Sequence, residues 1–247
     1  MLQFTVDLPA FRSALASTKT HVSNDKDDLV GRSIDCTIRP NRELLVTATN
    51  GMTAAIARVP IDEESFLGEL GQFTMTPEIA GTIIDMFAPG KEDWNVQLEV
   101  TVTFTQEQRP KPEEDLTVAT IKVRRLGQLF GGDQLTVTTP VQSNKHLPRV
   151  WAAIGRGAQR NRAMLPATRF DLKRLSVFRA AQTTYGDPLT VCALTNNAGS
   201  LLVLCGRYFI GMLHADRVEL ENKDKDNYEN LKEHWATELP TPFAVVS

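Results

Sequence analysis

No apolar run in this 247-residue sequence approaches the roughly 20 residues needed to cross a bilayer, so no membrane partner is expected. The opening residues, MLQFTVDLPAF, have neither the basic nor the apolar region of a secretory signal, and a cytoplasmic protein is the expectation. Cysteine is scarce. Cys36, Cys192 and Cys205 lie far apart, each inside a strand-like run, and read as small core residues. No CxxC pair occurs and the four histidines are scattered, so no metal or other cofactor is expected. There is no GxSxG and no P-loop lysine motif; GQLFGG at 127–132 is flanked by strand-like runs and reads as a loop. The carboxylates show no defensible pairing. The chain is not expected to be an enzyme.

Hydrophobic residues make up 42% and charged residues 23%, the balance of a soluble globular protein with room for one large domain or two ordinary ones. The net charge of −3 is unevenly spread. From Arg149 to Arg179 there are eight basic residues and one acid, so that window carries +7 against −10 for the remainder. A basic stretch on an acidic body is either the footprint of a polyanion partner or an arginine-rich solvated linker.

The order of elements repeats. Gln3 to Asp7 reads as a strand, and Pro9 opens a helix with Phe11, Ala14, Leu15, Thr18 and Val22 at the 3.6-residue period and Arg12, Ala16 and Lys19 elsewhere on it. Three strands follow, Ser33–Arg39, Glu43–Thr49 and Met52–Ile61, with Asn50-Gly51 as a two-residue hairpin signal. The same order returns: a strand at Gln72–Thr76, a helix from Pro77 capped by Thr76 and buried through Ile79, Ile83, Ile84, Met86 and Phe87, and three strands, Asn95–Thr105, Leu116–Arg125 and Gln134–Thr139. A third copy has a strand at Thr168–Asp171, a helix at Leu172–Gln182, and strands Leu189–Thr195, Ser200–Cys205 and Tyr208–His214. Residues 219–238, with seven acids and three lysines, read as a solvated helix or a disordered tail. The expected architecture is α+β, built of repeated βαβββ modules. Residues 1–140 form one domain of two modules, 141–166 a basic connector, 167–218 a shortened second domain of one module, and 219–247 an acidic tail.

Two such modules per domain is the construction of DNA sliding clamps, and particular strings resemble the bacterial beta-clamp type. They are QFTVDLPAFRSAL, LLVTATNGMTAAIARV, GQFTMTPEIAGTIIDMF, GDQLTVTTP followed by HLPRVW, and YFIGMLHADR. Two departures stand out. There are three modules rather than whole domains throughout, and His214-Ala215 stands near the proline expected in the closing strand. The resemblance implies a processivity factor: a homo-oligomeric ring around double-stranded DNA, joined by sheet edges, that tethers a DNA polymerase and other clamp-binding proteins. About twelve modules close such a ring, which means four chains, or three if the second domain is complete. DNA would be held without base readout by Arg12 and Lys19 of the first helix and by Lys173, Arg174 and Arg179 of the third. Arg156, Arg160 and Arg162 of the connector would be secondary. A partner-peptide pocket would take Thr49, Gly51 and Met52 from the hairpin, Leu147 and Pro148 from the connector, and Met212 and Leu213 from the closing strand. The alternative is a clamp-like decoy or regulator that binds a polymerase or a clamp without encircling DNA. A small-molecule or catalytic α+β domain is a third reading, which a deep pocket with convergent polar groups would favour.

Overall fold

The computed structural model describes residues 1–25, 27–28, 31–90, 96–107, 116–127, 133–141, 147–159, 162–163, 172–194 and 200–214. The expected strand at 168–171 and the acidic tail lie outside them.

The chain begins with β1 (Leu2–Asp7) and α1 (Leu8–Lys19). Asp7 caps that helix, its carboxylate accepting from the Ala10 amide at 2.9 Å, and a proline in the first turn costs no hydrogen bond there. The apolar period is obeyed: Leu8, Phe11, Ala14, Leu15 and Thr18 are buried. Strands β2 (Ile34–Ile38), β3 (Glu43–Thr49) and β4 (Thr53–Pro60) complete the first module. The second has β5 (Gln72–Met75), α2 (Pro77–Met86), β6 (Gln97–Glu107), β7 (Leu116–Arg125) and β8 (Gln134–Pro140). The Thr76 hydroxyl caps α2 by accepting from the Ile79 amide. Met86, expected in the buried face, is 39% exposed, because the helix ends there and only Phe87 turns inward.

The two modules exchange their first strands. β1 pairs with β6, giving a four-stranded sheet in the order β1-β6-β7-β8, while β5 pairs with β2. Each sheet of this part of the chain thus takes an edge strand from the other module.

A helix then stands where a bare connector was expected, α3 (Leu147–Gln159). After β9 (Arg162–Ala163), the single expected third helix is two: α4 (Leu172–Ser176) and α5 (Arg179–Tyr185). At the interruption Phe178 is fully buried, and the Thr20 hydroxyl just beyond α1 donates to the Val177 carbonyl at 3.1 Å. Strands β10 (Leu189–Leu194), β11 (Ser200–Cys205) and β12 (Phe209–His214) follow. β12 adds to β4, from Phe209 opposite Ala57 to Leu213 opposite Thr53, so one eight-stranded sheet runs β5-β2-β3-β4-β12-β11-β10-β9.

Period-2 alternation splits the side chains of that sheet between two layers. Ala55, Ala57, Leu201, Val203, Cys205, Phe209 and Leu213 join the main core with α1, α2 and α5. Ala54, Ile56, Leu202, Met212 and their neighbours face the other way and pack under α3 through Val150, Trp151 and Ile154. Cys36 and Cys205 are buried and Cys192 half-buried, all as free thiols.

Candidate docking cleft and basic helix face

The hairpin between β3 and β4 sets one wall of an open cleft. Its two central residues are Gly51 and Met52, one position later than the Asn50-Gly51 signal, and only Gly51 takes a left-handed φ, of 82°. The Asn50 carboxamide oxygen accepts from the amides of Met52 (3.0 Å) and Thr53 (2.8 Å), which fixes the turn. The Met52 carbonyl accepts from the His214 amide at 2.8 Å, tying the hairpin to the end of β12. The opposite wall is α3. Leu147, Val150, Trp151 and Ile154 recur at helical spacing on its sheet-facing side, and the indole Nε1 of Trp151 donates to the buried Thr47 hydroxyl at 3.2 Å.

The cleft between them encloses about 700 Å³. Of the seven residues expected in a pocket, the structure brings together Thr49, Gly51 and Met212. The other four are elsewhere. Leu213 is 1% exposed on the opposite side of the sheet, where alternation from Met212 must send it, and Leu147 is buried beneath the first turn of α3. Met52 is half-buried and Pro148 exposed, and neither lines the cleft.

Sequence reasoning missed Arg149, Val150 and Ala153, which line the cleft from α3. The signal was present in the 147–150–151–154 spacing, overlooked in a segment read as a charged connector. Arg156 also lines the cleft. It therefore lies on the opposite side of the sheet from α1 and α5.

The side chains of Asp28, Asn50 and His214 in the cleft are engaged with the protein. The Asp28 carboxylate accepts from the Gly31 amide at 2.8 Å. His214 Nδ1 and the Ser200 hydroxyl share a hydrogen bond of 2.8 Å, and desolvation holds the imidazole below its usual range. That pair has the elements of a nucleophile and base, but Ser200 is 2% exposed and outside the cleft lining. A substrate in the cleft would not reach it.

On the other side of the sheet, α1 packs between α2 and α5. Arg12 is half-buried and its Nε donates to the Ile84 carbonyl of α2 at 2.9 Å. The Lys19 ammonium sits over Gly81, where an added Cβ would lie 2.9 Å from Nζ. Arg12 therefore helps hold α1 to α2, and Lys19 lies against it. Arg179 is exposed on α5, beside a groove shared with Ala16 and Thr20 of α1. Lys173 is exposed and Arg174 half-buried on α4. Because α4 and α5 are separate helices, these two do not share one helical surface with Arg179. Arg162 pairs through its backbone with Leu194, and Arg160 lies outside the described residues.

No protein-family model matches the chain, and no curated protein matches it in sequence. Solved structures do match. The DNA polymerase sliding clamp of Bacillus subtilis superposes with a TM-score of 0.51 at 8% identity, over 87% of this chain and 64% of that one. The beta subunit of DNA polymerase III from Thermotoga maritima gives 0.50 at 7% identity, over 91% and 67%. The corresponding subunit of Pseudomonas aeruginosa gives 0.50 at 10% identity, over 95% and 73%. The chain has the fold of the DNA sliding clamps. It spans about two thirds of the length of these bacterial beta subunits.

Proposed function

We propose that the chain is a non-enzymatic clamp subunit that closes into a ring around duplex DNA and tethers a DNA polymerase. The observation that carries this reading is the sheet running unbroken from β4 into β12, with α1 between α2 and α5 on one side. A wall of this kind continues from module to module, and helices on one side can face a central hole. Residues 1–140 act as one clamp domain, 141–166 as a connector containing α3, 167–218 as a shortened second domain and 219–247 as a tail. Among the described residues the outer edge of β8 has no strand beside it, whereas β1 is covered by the 61–67 segment through paired Gln3 and Leu67 backbone bonds. An open edge invites pairing with another chain, which is what ring closure needs. Arg12, Lys19, Lys173, Arg174 and Arg179 supply phosphate contacts that carry no sequence information, so the ring slides. The cleft beside the hairpin and β12 receives the polymerase.

A second reading is favoured by the short span relative to the bacterial subunits: a clamp-like regulator that occupies a polymerase or a clamp without encircling DNA. Solution mass combined with particle imaging separates the two. A closed ring with a central hole, of roughly three or four chains, is expected from the module count. A monodisperse monomer at micromolar concentration, unchanged by dilution or added DNA, overturns the ring.

A further inference from the structure

The first and third modules differ in what stands beside them. In the first, β2 lies between β3 and β5, and Ile34, Cys36 and Ile38 are buried. The counterpart of β2 in the third module is β10. Among the described residues β10 has β11 along one side, while β9 on the other side pairs only with Ala193 and Leu194. Residues 189–192 therefore present an open edge. Leu189 packs against the main core, and alternation puts Val191 on the same side, where it is 40% exposed. The helices show the same difference: α1 packs against both α2 and α5, whereas α5 packs against α1. Thr184 of α5 lines the groove toward α1, and Gln182, roughly 160° around the helix from it, is exposed on the far flank. Residues 172–194 carry Lys173, Arg174 and Arg179 against one acid, Asp187. This flank thus combines an apolar edge with net positive charge.

We propose that residues 219–238 of the same chain dock on this flank as a helix, taking beside α5 the place that α2 takes beside α1. The contact is internal to the chain and does not depend on ring closure. These residues lie outside the described ones, and their sequence fits the flank in two ways. Seven acids against three lysines give the segment the opposite charge. Tyr228, Leu231 and Trp235 recur at helical spacing, an apolar stripe that needs a surface to cover it. Leu189 and Val191 offer that surface, and a helix laid over an open strand edge keeps it from pairing with another chain. Asp224 and Glu238 stand one turn beyond the two ends of the stripe, on its side of the helix, where they can meet the exposed cations Lys173 and Arg179. Pro240 stops the helix just past the stripe. The reach is sufficient. Tyr228 is fourteen residues past His214, a tether of up to about 45 Å, whereas β12 stands two strand spacings, about 10 Å, from β10. That short tether favours the same chain over a second copy, because it holds the segment at an effective concentration on the order of millimolar.

The test is hydrogen exchange of the full chain, wild type against Leu231→Asp/Trp235→Asp and against Val191→Asp. In the first variant the β10 amides that bond to β11 should exchange roughly tenfold faster, with those of β6 and β7 unchanged. Val191→Asp alters the flank and leaves the segment intact, and it should speed the amides of residues 228–235 by a similar factor. Arg179→Glu should produce both changes at about two- to threefold, the worth of an exposed charge pair. β10 amides that exchange alike in wild type and Leu231→Asp/Trp235→Asp would overturn the contact. So would amides of 228–235 that exchange in the wild type at the rate of an unstructured chain, or slowly in both wild type and Val191→Asp. Protection of β10 that falls on tenfold dilution would assign the flank to a second copy and overturn the internal contact. If Leu231→Asp/Trp235→Asp loosens β6 and β7 as well, the Val191→Asp result decides, because an exposed side chain is changed there and the core is left intact.

Discussion

The two faces of the eight-stranded sheet share the same strands and use them differently. Toward α1 and α5 the packing is tight. Phe178 is fully buried, its ring 4.7 Å from that of His21 and 6.3 Å from that of Phe209. It reaches β12 only because residue 211 is glycine: an added Cβ there would stand 2.5 Å from the Phe178 ring and 2.8 Å from the Ala54 carbonyl. Toward α3, one helix covers a smaller cluster and leaves the cleft open. A single alternation therefore assigns Leu213 to the main core and its neighbours Met212, itself 3% exposed, and His214 to the side of the sheet that carries the cleft. On this comparison, damage to the first face should unfold the chain, and damage to the second should impair docking.

The largest expected effect is at the junction of modules. Phe178→Ala should cost about 3–5 kcal/mol, as deletion of a fully buried aromatic ring does. Urea unfolding would show it as a lower midpoint. A loss below about 1 kcal/mol would mean that the α1–α5 face is not the tighter of the two.

His21 sharpens the same face through pH. The ring is buried and neither nitrogen has a partner among the described residues, and desolvation pushes its pKa from 6.5 down to about 3. The folded chain therefore keeps the ring neutral between those values, while the unfolded chain takes up a proton. Stability from this residue is fully present above pH 6.5 and is lost as pH falls toward about 3, at up to about 1.4 kcal/mol per pH unit. In His21→Leu the loss should be shallower by that amount, with stability at pH 7.5 unchanged or higher, since an unsatisfied polar group has gone. His214 is shifted in the same direction and is retained in both proteins, so the difference between their pH profiles isolates His21. Parallel profiles would show that His21 finds water in the folded state.

How far these faces could be read beforehand differs element by element. The helices α1 and α2 were legible because each has a capping side chain, a proline in its first turn and apolar residues at the helical period. Strand positions were legible within a residue or two for the same kind of reason. Strand partners were not: alternation says which side a residue faces, and nothing in it sends β1 to β6 or β5 to β2. The break between α4 and α5 carries no proline or glycine. It follows from Phe178 being drawn onto Gly211, a contact made only in the folded chain. The cleft was half legible. The hairpin and Met212 came from local strings, but Leu213 required the direction of alternation at the sheet junction, and Arg149 and Arg156 required α3, whose charge concealed its apolar period.

The smallest expected effect is on the α3 face, at Trp151. Its Nε1 donates to the Thr47 hydroxyl, which is fully buried, and the ring packs on the cluster that includes Ile154 and Met212. Trp151→Phe keeps an aromatic ring but removes the donor, leaving the Thr47 oxygen without that partner in a site closed to water. The net cost of such a loss is about 1 kcal/mol, a fraction of that expected for Phe178→Ala. Because α3 contributes one wall of the cleft, even this small loosening should show in hydrogen exchange, as faster exchange of α3 amides with those of β4 and β12 unchanged. Thr47→Val tests the assignment from the other partner: if the bond is the cause, the double variant should cost little more than either single change. A loss near 3 kcal/mol for Trp151→Phe, with β4 and β12 exchanging faster too, would mean that the two faces form one cooperative core and that the cleft is as rigid as the junction behind it.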